Sequence, residues 1–129
     1  MGVAENKAVV AEGYAAFGEG DLEGFLKMFA SDAVWVNHGA GSPLSGEHKG
    51  INGVRTLLER AIQLVDVTGF ALNELLADGS HVIALVDEGF TVKATGKHHQ
   101  GPVVYVFEVR DGAVHRLDEF LGDLDPGIW

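Results

Sequence analysis

The chain has 129 residues, 9 basic against 19 acidic side chains, a net charge of −10 and no cysteine. That length fits one domain with a real core and is too short for two. The missing cysteines exclude disulfides, thiolate metal sites and a cysteine nucleophile. The acidic balance argues against a phosphate-backbone partner, so no nucleic acid is expected. The N-terminal residues hold no apolar run of secretory length and no segment approaches a membrane span, which leads to the expectation of a soluble cytoplasmic protein without a membrane partner.

Residues 3 to 18 read as a helix. Val3, Val10, Tyr14 and Phe17 recur at helical spacing, alanines add propensity, and Gly18 and Gly20 end it. Asp21 is placed to cap a second helix whose stripe is Leu22, Phe25, Leu26 and Phe29. Ser31-Asp32 is expected to break that helix and lead into a short strand over 33 to 38. Alternation sends Ala33, Trp35 and Asn37 to one face and Val34, Val36 and His38 to the other. The glycine-rich run from Gly39 to Gly50 reads as loop or turn. A long helix is expected over 51 to 66, with Ile51, Val54, Leu58, Ala61 and Val65 as its stripe.

Beyond it the period changes from helical to two. Strands are expected over 68 to 76, 81 to 95, 100 to 110 and 113 to 123, joined by turns at Asp78-Gly79, Thr95-Gly96 and Asp111-Gly112. The pattern predicts an α+β domain over residues 1 to 129, three N-terminal helices enclosing a short strand and then a four-strand antiparallel meander, with one sheet face covered by helices. The strongly curved version of that plan makes a cone with an apolar interior.

Two strands carry a carboxylate against the grain of their faces. One face of the strand from His81 reads Val82, Ala84, Val86, Glu88, Phe90, Val92, Ala94; the last strand presents Ala113, His115, Leu117, Glu119, Leu121. A carboxylate on an apolar face is paired, partly solvated, or kept for chemistry. Two of them converging on one cavity would push their pKa values apart and yield an acid and a base. Glu88 and Glu119 are therefore the candidate catalytic pair. Asn37 joins them as a side chain able to polarise an oxygen or hold a water. The plainer alternatives are a salt bridge or a hydrogen bond to a neighbouring strand for the carboxylates and a satisfied strand end for the asparagine. The histidines lack ligand spacing and no phosphate-cradling loop is present, so neither metal nor cofactor is expected.

The segments GDLEGFLKMFASDAVWVNH, PLSGEHKGINGV and VFEVRDGAVHRLDEFLGD make the chain resemble the nuclear transport factor 2-like superfamily in its SnoaL-like branch. The resemblance spans nearly the whole sequence. It implies a cone-shaped α+β barrel, a homodimer through the outer sheet face and a concave pocket, and it spans isomerases, polyketide cyclases, epoxide hydrolases and non-catalytic members. The epoxide hydrolases' Tyr-x-Asn becomes Trp35-Val36-Asn37, their Arg-x-Asp becomes Val86-Asp87-Glu88, and their last-strand acid falls on Glu119. The bridging arginine is thus Val86. For ketosteroid isomerase the base position falls on Asn37, the protonated aspartate near Tyr105 and the tyrosine on Gly13, beside Tyr14. The expected function is cofactor-free acid/base chemistry on a small apolar or aromatic molecule, the alternative being a non-catalytic ligand-binding or dimerisation module. Trp35, Tyr14, Tyr105, Val86, Phe90, Val103, Met28, His115 and Leu121 are the expected substrate-binding residues. Asp118 is expected to pair with Arg116 outside, with Val104 and Val106 on the dimer face.

Overall fold

The computed structural model describes residues 2 to 129. Its elements run α1 (Val3–Gly18), α2 (Leu22–Leu26), β1 (Phe29–Asn37), β2 (Gly46–Lys49), α3 (Gly50–Leu64), β3 (Val65–Asp78), β4 (His81–Val92), β5 (His98–Arg110) and β6 (Ala113–Leu121). The six strands form one curved, unclosed sheet in the order β2-β1-β6-β5-β4-β3. Strands β3 to β6 are the expected antiparallel meander, and β1 joins it by pairing parallel with β6. The sheet is therefore mixed. Two helices precede it, whereas α3 enters only after β1 and β2.

Three local expectations are corrected. Helix α2 stops at Leu26, so Phe29 begins β1 rather than ending a helical stripe, and Ser31-Asp32 lies inside that strand. The β1–β6 register shifts between Phe29 and Val34, which absorbs the two exposed polar residues as an irregularity instead of a break. The glycine-rich run contains β2, a four-residue edge strand against β1. Helix α3 ends at Leu64, and β3 starts at once with Val65.

Why the chain folds this way is local chemistry for the most part. Asp21 accepts the Gly24 amide at 2.9 Å and caps α2. The β5–β6 hairpin turns through Asp111 and Gly112 at φ 52° and 77°, the left-handed pair that a tight type I′ turn demands. Strand β3 carries register shifts between Val67 and Gly69 and between Leu72 and Glu74. Such bulges bend a strand and increase its twist, and here they curl the sheet edge over the concave face.

Helices α1 and α3 cover that concave face. Val10 and Tyr14 from α1, and Val54 and Leu57 from α3, pack against Val82, Phe107, Val109, Val114 and Leu117 of the sheet, all of these buried. A smaller cluster of Phe90, Val92 and Ile128 sits at the far end of β4, where the C-terminal segment folds back. The Thr95 hydroxyl donates to the Ile128 carbonyl at 2.6 Å, and the Lys97 ammonium donates to Gly127 at 2.9 Å, tying that segment down. No helix among the described residues is long and apolar enough to cross a membrane.

Candidate functional site

Strand register brings the candidate side chains together. Asn37 of β1 lies opposite Glu119 of β6, and Glu119 lies opposite Tyr105 of β5, so three polar side chains share one row across the concave face. Trp35, two residues before Asn37, shares its face. Its indole N–H donates to Glu119 Oε1 at 2.9 Å, and Asn37 Nδ2 donates to the same oxygen at 3.4 Å. The Asn37 carbonyl oxygen in turn accepts the Gly39 amide at 2.8 Å, so both ends of the asparagine are held by protein.

Glu88 reaches this group from the far half of β4, where it pairs with Gly101 of β5. The Tyr105 hydroxyl donates to Glu88 Oε1 at 3.3 Å. That contact spans the row holding the directly paired Val86 and Val103. Those two residues are 2% and 1% exposed, in the core rather than on the cavity wall.

A cavity of about 360 Å³ opens beside the pair, lined among others by Tyr14, Trp35, Asn37, Phe70, Glu88, Phe90, Tyr105, Glu119 and Leu121. Helix α3 supplies one wall through Leu57, Leu58, Ala61 and Ile62. Exposed Ile62 and Val67 also line it, so the cavity reaches solvent between α3 and the start of β3. Lys93, Asp66 and Trp129 stand at that end as well.

Burial pushes Glu88 up to about 7, against a smaller downward pull from the Tyr105 hydroxyl. Glu119 is also pushed up to about 7, first by burial and then by the charge of Glu88, while the hydrogen bond from Trp35 and the neighbouring Tyr105 hydroxyl pull it down. Burial, together with the two carboxylates, holds the Tyr14 and Tyr105 hydroxyls well above the usual phenol range. A carboxyl group titrating near 7 exchanges protons in either direction at neutral pH, as a general acid or base must.

The sequence-predicted residues divide cleanly. Glu88, Glu119, Asn37, Trp35, Tyr14, Tyr105, Phe90 and Leu121 all line the one cavity. Met28, Val86, Val103 and His115 do not. Met28 is buried against α1, its thioether in the space that a Cβ at Gly13 would need. His115 shares the face of Glu119 but sits four residues away, roughly 13 Å along the strand, with Nδ1 3.7 Å from Asp32. Sequence reasoning missed Phe17, Phe70, Leu57 and Trp129. The bulges of β3 hid Phe70 from simple alternation, whereas the apolar Ile128-Trp129 after a Pro-Gly turn was a visible signal for the last.

The outer face behaves as expected at Asp118, which receives Arg116 through two bonds at 2.8 and 3.0 Å and meets His38 at 2.8 Å. These partners, the guanidinium foremost, outweigh burial and hold the Asp118 carboxyl below the usual range.

A curved, unclosed sheet with helices over its concave face is the nuclear transport factor 2-like fold. The SnoaL-like domain model matches residues 10–117, and the chain belongs to that family. A nuclear transport factor 2-like protein from Burkholderia xenovorans LB400 is 29% identical, with 93% of this chain and 91% of that chain covered at a TM-score of 0.80. Another from Burkholderia thailandensis E264 is 27% identical over 89% and 88%, at a TM-score of 0.81. A candidate polyketide cyclase from Xanthomonas campestris pv. campestris is 20% identical over 93% and 92%, with a TM-score of 0.75, which speaks to the fold alone. No curated relative matches the sequence.

Proposed function

We propose that this SnoaL-like protein is a cofactor-free acid/base catalyst, of isomerase, cyclase or hydratase/hydrolase type, acting on a small apolar or aromatic molecule. The observation that carries the proposal is the pair of carboxylates, both raised to about 7, beside one solvent-reachable cavity. A purely structural pair would be locked by protein partners with no room beside it. Here Oε1 of each glutamate is bonded, while Oε2 of each has no protein hydrogen bond among the described residues.

The donors divide the roles. Burial raises both carboxyls to about 7 instead of setting them apart as expected, so the roles are assigned from the donors. Two N–H groups aimed at Glu119 favour its charged form and make it the base. Glu88 receives one hydroxyl and is the proton donor. Asn37 and Trp35 position Glu119, and Tyr105 links the two carboxylates. The aromatic wall gives an apolar ligand its binding surface. The outer face, with Val104 and Val106, serves a homodimer in this account.

Proton abstraction can be followed without the natural substrate, as deuterium exchange at the α-carbon of small aryl and cyclic ketones in D₂O. The wild type is expected to accelerate exchange of at least one such ketone. Glu119→Gln is expected to lose about 10²-fold or more of that rate, the usual contribution of a positioned base. Exchange equally fast in Glu119→Gln and Glu88→Gln refutes the catalytic role and leaves the non-catalytic ligand-binding alternative.

A further inference from the structure

We propose that the cavity takes an organic monocation, a protonated or quaternary amine on an apolar body, seated between Glu88, Glu119 and the Tyr14 hydroxyl. The inference rests on the cavity being the ligand site and adds the charge of the ligand.

Acceptor capacity comes first. The unbonded Oε2 atoms of Glu88 and Glu119 are not sealed inside the protein, because the buried side-chain atoms left without a partner among the described residues are those of Asn6 and His99. Tyr14 is only 8% exposed, lines the cavity, and its hydroxyl makes no hydrogen bond among the described residues. A ligand with no polar group at all would strip water from these three groups and return nothing, which costs the full desolvation of each. An anion would be repelled by the charge on Glu119.

Countercharge comes second. Among the described residues, Lys93 is the only basic one lining the cavity. Its ammonium is committed at the mouth, 2.8 Å from the Ile62 carbonyl oxygen and 3.8 Å from Asp66. The arginines in ion pairs, Arg55, Arg110 and Arg116, hold Glu23, Glu108 and Asp118 elsewhere. The carboxylate pair therefore has acceptors, a cavity and, among the described residues, no cation of its own.

The walls fit the same ligand. Tyr14, Phe17, Phe25, Trp35, Phe70 and Tyr105 surround the space, and aromatic faces attract cations most strongly where water is excluded. At about 360 Å³ the cavity lies within the roughly 300–1,000 Å³ of small-molecule sites.

A cation bound here displaces a proton from the pair, so affinity rises with pH through the window where the carboxylates ionise. The groups facing them are Tyr14 from α1, Tyr105 from β5, and Trp35 and Asn37 from β1. The residues of α3 that line the cavity, Leu57, Leu58, Ala61 and Ile62, carry no charge, and Asp66 and Lys93 stand at the mouth.

The test uses the full chain with phenyltrimethylammonium, whose charge does not titrate, and its neutral isostere tert-butylbenzene. Binding is followed through the Trp35 indole N–H signal in NMR titrations at pH 6 and pH 8. The cation is expected to bind at least about tenfold tighter than the isostere at pH 8. It should also tighten by up to about tenfold per pH unit near neutrality, the limit for one proton released. The Glu88→Gln/Glu119→Gln double variant should lose both the preference and the pH dependence. The wild-type series needs no variant to fold. Equal or tighter binding of the isostere, or no binding of either probe, overturns the cation. If ketone exchange still depends on Glu119, acid/base chemistry survives that result; if exchange is also absent, both fail.

Discussion

Replacing Trp35 by phenylalanine separates the chemistry of the site from its packing. The indole N–H is 2.9 Å from Glu119 Oε1 and is the shorter of the two N–H bonds to that oxygen. Phenylalanine keeps a ring against Phe29, whose stack with Trp35 has centroids 5.9 Å apart and an 18° interplanar angle, but it removes the donor. A hydrogen bond to a charged group contributes about 1.5–3 kcal/mol. At about 1.36 kcal/mol per pKa unit, its loss should move the Glu119 midpoint up by about one to two pH units. The direction follows because the bond favours the ionised form, which is the form lost. Carbon-detected NMR of the glutamate carboxyls gives the midpoint, starting from about 7 in the wild type. Exchange activity at pH 7 should fall roughly 5- to 50-fold, as less Glu119 is ionised, and recover as pH is raised. A merely structural tryptophan would lower activity at every pH alike. A Glu119 midpoint that stays put or falls refutes the reasoning.

Two further outcomes follow from burial. Glu88 and Glu119 have folded pKa values above the ordinary 4.5, so the folded state holds protons that the unfolded chain releases. Stability is therefore fully present below about pH 4.5 and is lost as pH rises to about 7. For Glu119 the loss is on the order of 3 kcal/mol. Urea unfolding from pH 4.5 to 8 should show a shallower decline in Glu119→Gln than in the wild type; parallel curves contradict this. Leu117 is 0% exposed beneath the site, and Leu117→Ala should cost about 2–5 kcal/mol in the same assay. A cost below about 1 kcal/mol would mean that the core closes over the gap.

Alternation alone assigned the side chains to faces, because a one-residue step on a strand decides which face a side chain joins. Glu119 and Trp35 fell on the cavity face by parity, and both line it. Parity does not say which row of a face is covered. Val86 and Val103 share a face with Glu88 and Tyr105, yet the Tyr105–Glu88 contact spans their row and they join the core. Gly46–Lys49 escaped notice as a strand, since its four residues carry no apolar alternation and pair only along the edge with β1. The bulges of β3 were equally invisible, although they curl the sheet and bring Phe70 to the cavity. The α1 limits and the three glycine turns were legible because they depend on neighbours in sequence.

The protonation of the two glutamates tests the account most directly. Glu88 and Glu119 carboxyl carbons, assigned through the Gln variants and titrated by NMR from pH 3 to 10, should both show midpoints near 7. Midpoints near the ordinary 4.5 for both would mean well-solvated carboxylates and would remove the acid/base pair on which the proposed function stands.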